Sequence, residues 1–138
     1  MIVVRGVGPP CDGQRDHAQW FSRKGDSHTT LVAVPYSLEL NDSVIYAVEH
    51  HSSAEIYQRV VDTLHTYDAE DAAQPVVLSL PIHPHLIGAP HRLPYFARIL
   101  ELLAQREDTI FLSGSGICDW FAAQASKPNT PTTTGPGG

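Results

Sequence analysis

Eight histidines stand in this sequence, and one is set apart by its surroundings: Pro81-Ile-His-Pro-His85 closes a run of apolar residues. An imidazole titrates near neutral pH and can pass a proton to a departing amine or alcohol. Pro81 and Pro84 favour an extended backbone around His83, which aims the ring with little residual freedom. His83 is therefore the leading candidate for acid–base chemistry, set against the plainer role of bonding its own loop. His85 lies two residues on and faces the same side of an extended chain. With His91 these two suggest a metal site, yet the same loop contains no Asp, Glu or Cys to add a ligand. Arg92, just beyond, is suited to clamp a carboxylate or a backbone carbonyl.

A second polar group follows an earlier apolar run. Val34-Pro-Tyr-Ser-Leu-Glu-Leu-Asn-Asp42 places Glu39, Asn41 and Asp42 where they orient a substrate or cap a turn. Gly114-Ser-Gly116 has the place of a phosphate cradle but lacks the lysine and further glycines of one, so a helix start is expected there. No G-x-S-x-G elbow is present, and a serine hydrolase has no support. Cys118 falls in an apolar helical stripe and reads as core, and Cys11 and Cys118 read as two ordinary thiols.

The elements that must position these groups alternate. Leu31–Val34 reads as a buried strand ended by Pro35. Ser52 and Glu55 have capping-box spacing, ahead of a helical stripe at Ile56, Tyr57, Val60, Val61 and Leu64. Residues 75–82 form a strand covered on both faces, because apolar residues do not alternate there. Pro94 opens a second helix with Tyr95, Phe96, Ile99, Leu100 and Leu103, then Thr109–Leu112 makes a third strand, and Ile117, Trp120 and Phe121 mark a last helix. Three strand–helix units argue for an α/β fold with parallel strands and right-handed crossovers. Residues 1–29 read as an irregular segment, 30–125 as the domain, and 126–138, nearly all Pro, Thr and Gly, as a disordered tail.

The length of 138 residues suits one domain, with 42% hydrophobic and 17% charged residues. Nine Lys and Arg against fifteen Asp and Glu give a net charge of -6. No basic stripe favours nucleic acid, and no apolar window is long enough to span a membrane. The first residues carry no apolar run with a cleavage site, so no signal peptide is expected and a cytoplasmic setting is the default.

The quoted segments, with Leu80-Pro-Ile-His-Pro-His-Leu-Ile-Gly-Ala-Pro-His-Arg92 and Ile110-Phe-Leu-Ser followed by Ile117 and Trp120-Phe121, resemble polysaccharide deacetylases in residue order. They are most similar to the NodB-homology branch with peptidoglycan deacetylase-like and allantoinase-like amidohydrolases. The likeness covers roughly residues 31–124, and its most specific part is the I-H-P…G-x-P-x-R loop. It implies a partial (β/α) barrel. It also implies hydrolysis of a non-peptide C–N bond, in which water activated by a divalent metal, usually zinc, attacks an acetamide or ureide carbonyl. His83 matches the histidine that protonates the leaving nitrogen. Asn41-Asp42 matches a segment that often carries two acidic residues and here has Asn first. Asn41, Asp42, His85 and Arg92 are taken as candidate substrate-binding residues.

The family's metal ligands and catalytic base are expected elsewhere. No histidine here is followed four residues later by another, and no Thr-Phe-Asp-Asp-like strand precedes the matched region. The chain thus resembles the carboxyl-terminal part of such an enzyme, with no metal ligands of its own, and is expected to be inactive alone. A non-catalytic remnant that binds glycan or protein is the alternative. A glycan or a small ureide or amide is the expected substrate, and self-association or a complementing chain is the expected assembly, since the strands leave open edges.

Overall fold

A computed structural model describes residues 2–5, 19–22, 30–70 and 75–125. Its strands are β1 (Ile2–Arg5), β2 (Gln19–Ser22), β3 (Thr30–Ala33), β4 (Val76–Ser79) and β5 (Thr109–Leu112). Its helices are α1 (Glu55–Ala69), α2 (Pro84–Ile87), α3 (Leu93–Ala104) and α4 (Gly114–Ala125), and a π-helical turn spans Val44–Val48. The three strands and three helices expected from periodicity are all present, and the last helix, expected to be short, runs for 12 residues.

Their pairing differs from a parallel sheet. β1 lies between β4 and β5 and is antiparallel to both, with Val3 opposite Leu78 on one side and Phe111 on the other. β4 and β5 therefore run in the same direction, as a crossover through helices demands, but another strand separates them. β3 pairs with β2 alone, also antiparallel, in a second sheet. Among the described residues no sheet closes, and the strands form one three-stranded and one two-stranded sheet in place of the expected all-parallel pairing. The physical cause is the demand of strand edges for partners. Ile2-Val-Val-Arg5, a short β-branched run, meets that demand for both β4 and β5. The expectation that residues 1–29 are irregular is corrected at β1 and β2. The tail at 126–138 and Cys11 lie outside the described residues.

The main core forms where α1 and α3 cover β4 and its continuation. Ile56, Val60, Leu64, Ile99 and Leu103 meet Leu78 and Leu80 there, each less than one-tenth exposed. Stripes at three- and four-residue spacing bring these side chains to one face of each helix. The start of α1 departs from the capping box. Ala54 is the N-cap with no side-chain bond, and the Ser52 carbonyl rather than its hydroxyl accepts from the Glu55 amide at 3.2 Å. The Glu55 carboxylate is instead taken by Arg59, whose Nε donates to it at 2.9 Å. A charge-assisted bond outweighs a neutral cap.

The π-helical turn was not foreseen from the pattern. The Glu49 amide donates to the Val44 carbonyl at 2.8 Å, one residue beyond α spacing, and His50 follows at a left-handed φ of 58°. This turn buries Ile45 and Tyr46 and fixes the exit of the segment that carries Asn41 and Asp42. No helix among the described residues is long and apolar enough to cross a membrane.

Candidate proton-transfer site

The chain beyond β4 continues extended to His83, at φ -118° and ψ 120°, and then turns into α2 with Pro84 as its first residue. A proline suits that position because the first helical amide has no intrahelical partner. His83 is thus the N-cap of α2, and its carbonyl accepts from the Leu86 and Ile87 amides. Gly88 ends the turn. A Cβ there would strike the Pro84 carbonyl oxygen, so only glycine permits so tight a return.

Asp42 comes from the other side, forty-one residues earlier, and is fully buried. Its amide donates to the Pro81 carbonyl at 3.2 Å, which pins the two segments together. One carboxylate oxygen, Oδ2, accepts from the His83 backbone amide at 2.8 Å. The other, Oδ1, lies 2.6 Å from His83 Nδ1. An ionised carboxylate is only an acceptor, so the proton of that contact belongs to Nδ1. The arrangement sets the tautomer and directs Nε2 away from Asp42, on a side chain 43% exposed. A carboxylate that orients a histidine in this way is a recurrent device of acid–base sites.

The sequence-derived residues divide on this geometry. His83 and Asp42 meet, although the sequence assigns Asp42 to substrate and not to the histidine. Asn41 is buried and spends its amide on the protein: Nδ2 donates to the Tyr36 hydroxyl at 3.0 Å, and Oδ1 accepts from the Ser43 amide and hydroxyl. That is the turn-capping role. His85 is exposed, with its ring edge-on to His83 at a centroid separation of 5.8 Å. His91 is exposed on the far side of α2 in sequence. Arg92 takes a backbone carbonyl, its Nη1 donating to Leu86 at 3.2 Å, and its guanidinium lies 4.2 Å from the centre of the Tyr46 ring. Tyr46 was not among the candidates. Burial holds its hydroxyl above its ordinary pKa, with the Arg92 cation pulling the other way.

Among the described residues no three of His, Cys, Asp or Glu are grouped to hold a metal ion. A cavity of about 370 Å³ lies between the 35–40 segment, α1 and β4. Tyr36, Glu39, Thr63, Tyr67 and Ser79 line it, and Tyr36 connects it to Asn41. Ser113 caps α4, its hydroxyl accepting from the Gly116 amide at 3.1 Å, so Gly114-Ser-Gly116 is a helix start.

Two segments of a mixed α/β fold thus cross to pair a buried carboxylate with a half-exposed histidine. Among solved structures, the crystal structure of Puue allantoinase is similar to this chain in fold, with a TM-score of 0.70 at 24% identity. The match covers 78% of this chain and 36% of that one, so the chain spans about a third of that enzyme's length. The likeness establishes the fold. No protein-family model matches the chain, and no curated protein does.

Proposed function

We propose that this chain is the proton-donating part of an amide-cleaving hydrolase of the allantoinase and polysaccharide deacetylase kind, active only with groups supplied from outside the described residues. The Asp42–His83 pair carries this reading. The fold shared with an allantoinase supports it, as do the I-H-P and G-x-P-x-R segments.

The chemistry follows from the geometry. After water has added to an amide or ureide carbonyl, the C–N bond breaks readily only if the nitrogen leaves as a neutral amine. The imidazolium of His83, held through Nδ1 by Asp42, donates its Nε2 proton to that nitrogen. The electron pair of the C–N bond goes to nitrogen, and the ring is left neutral. Activation of the water is a separate task from this proton transfer. By the resemblance, a divalent metal and a base in a complementing segment would carry it, and that segment would join this chain along its open strand edges. Alone, the chain is expected to hydrolyse little, because an acid without its nucleophile contributes little.

The test is reconstitution with a chain that supplies the front part of such a barrel, followed by assay of acetamide and ureide hydrolysis. His83→Ala should lower the restored rate by about 10²- to 10⁴-fold, the usual contribution of a general acid. An unchanged rate refutes the assignment. Glycan retention without turnover in the reconstituted material would instead favour a binding remnant.

A further inference from the structure

We infer that Arg92 is a positioning residue for the Asp42–His83 pair, acting through a stack on Tyr46 that fastens the chain after Asp42 to the chain after His83. The inference rests on the proposed role of His83 and names a further side chain that keeps its ring in place.

Tyr46 lies four residues after Asp42, inside the π-helical turn. Leu86 lies three residues after His83, inside α2. Arg92 touches both: its guanidinium covers the Tyr46 ring at 4.2 Å, and its Nη1 donates to the Leu86 carbonyl at 3.2 Å. The Tyr46 hydroxyl in turn donates to the Ser53 carbonyl at 3.0 Å, so the ring itself cannot drift. The two limbs also meet through the pair, the Asp42 amide and the apolar core that Ile45, Tyr46 and Ile87 share, so Arg92 adds a polar tie beside the ring rather than the sole contact. α2 is a single turn of four residues, and so short a helix does not hold itself together. A second tether a few residues beyond the pair removes the freedom that a single turn would leave to His83.

The residue type fits this task. A planar guanidinium can stack on an aromatic face and donate within its own plane at the same time, whereas an ammonium is a point charge. The arrangement has a cost, because Arg92 Nε is buried with no hydrogen-bond partner among the described residues. An apolar side chain of equal length would fill the space without that cost. What it would lose is the tie between Tyr46 and Leu86. Stability and positioning should therefore separate at this residue.

The experiment uses the isotopically labelled 138-residue chain and reads two properties of His83: exchange of its backbone amide, which donates to Asp42, and the nitrogen shifts of its ring. In Arg92→Met, melting temperature should hold or rise. The His83 amide should exchange about tenfold faster or more, while Val60 and Ile99 stay within about twofold, and the share of ring protonated at Nδ1 in its neutral form should fall. Tyr46→Leu should reproduce this behaviour, and Arg92→Lys, which keeps a cation on the ring, should recover part of the protection. Unchanged exchange and ring spectra in Arg92→Met overturn the inference, as does equal acceleration at Val60 and Ile99, which marks general loosening. A His83 amide that exchanges freely in the unaltered chain overturns the pair itself, and the tether with it.

Discussion

The two sides of the three-stranded sheet are built to different standards. On the β4 side, Ile56, Ile99 and Leu103 are fully covered and Leu80 nearly so, and the one buried carboxylate there has both oxygens engaged. Around β5, Ile110 and Phe111 are 52% and 45% exposed, and Leu112 packs on a small buried cluster of Ile117 and Phe121 with Val77 of β4. The first region has the composition and the burial of an interior. The second has an interior's composition at a surface's exposure. Apolar edge strands of that kind are surfaces on which a further chain can pack. The difference teaches that the proton-transfer pair follows the well-covered strand β4, whereas the exposed apolar residues lie on β5.

The sharpest way to break this contrast is to shorten matched side chains on the two sides. Ile99→Ala should destabilise the chain by about 3–4 kcal/mol, since it empties a filled interior position. Ile110→Ala should cost less than about 1 kcal/mol, because half of that side chain is already in water. Urea denaturation of the two variants checks this, and equal costs would erase the distinction. Next in size is Asp42→Ala, which strips the partner from the His83 amide and ring and should cost about 2–3 kcal/mol in the same assay.

The smallest effect concerns pH. The bond from Arg59 holds the Glu55 carboxyl below its ordinary range. A lowered pKa in the folded state means stability that is present above the unfolded value of about 4.3 and is lost as pH falls through the folded one. Both side chains are partly exposed, so the loss should be a few tenths of a kcal/mol. Glu55→Gln should flatten that part of the pH–stability curve.

Much of the helical architecture was legible in the sequence because amphipathic stripes report burial directly. Ile56, Val60 and Leu64, or Ile99 and Leu103, announce one face each. The extended backbone at His83 was legible for a related reason: Pro81 and Pro84 constrain it locally. What the sequence hid was long-range pairing. Nothing in the spacing of Asp42 and His83 says that they meet, and the clue was only that both follow an apolar run at its carboxyl end. Likewise Ile2-Val-Val-Arg5 has the β-branched character of a strand, but no local rule reveals that it inserts between β4 and β5. The π-helical turn escaped because a single extra residue leaves no periodic trace. Tyr46 was missed with it, and with Tyr46 the partner that explains Arg92.

The central claim is that Asp42 holds His83 through Nδ1 and leaves Nε2 to deliver the proton. Nitrogen chemical shifts of the His83 ring, recorded above its titration in the unaltered chain and in Asp42→Asn, test it most directly. The account predicts a neutral ring protonated at Nδ1 in the unaltered chain, and loss of that preference in Asp42→Asn. A ring protonated at Nε2 in the unaltered chain, with no response to Asp42→Asn, would contradict it.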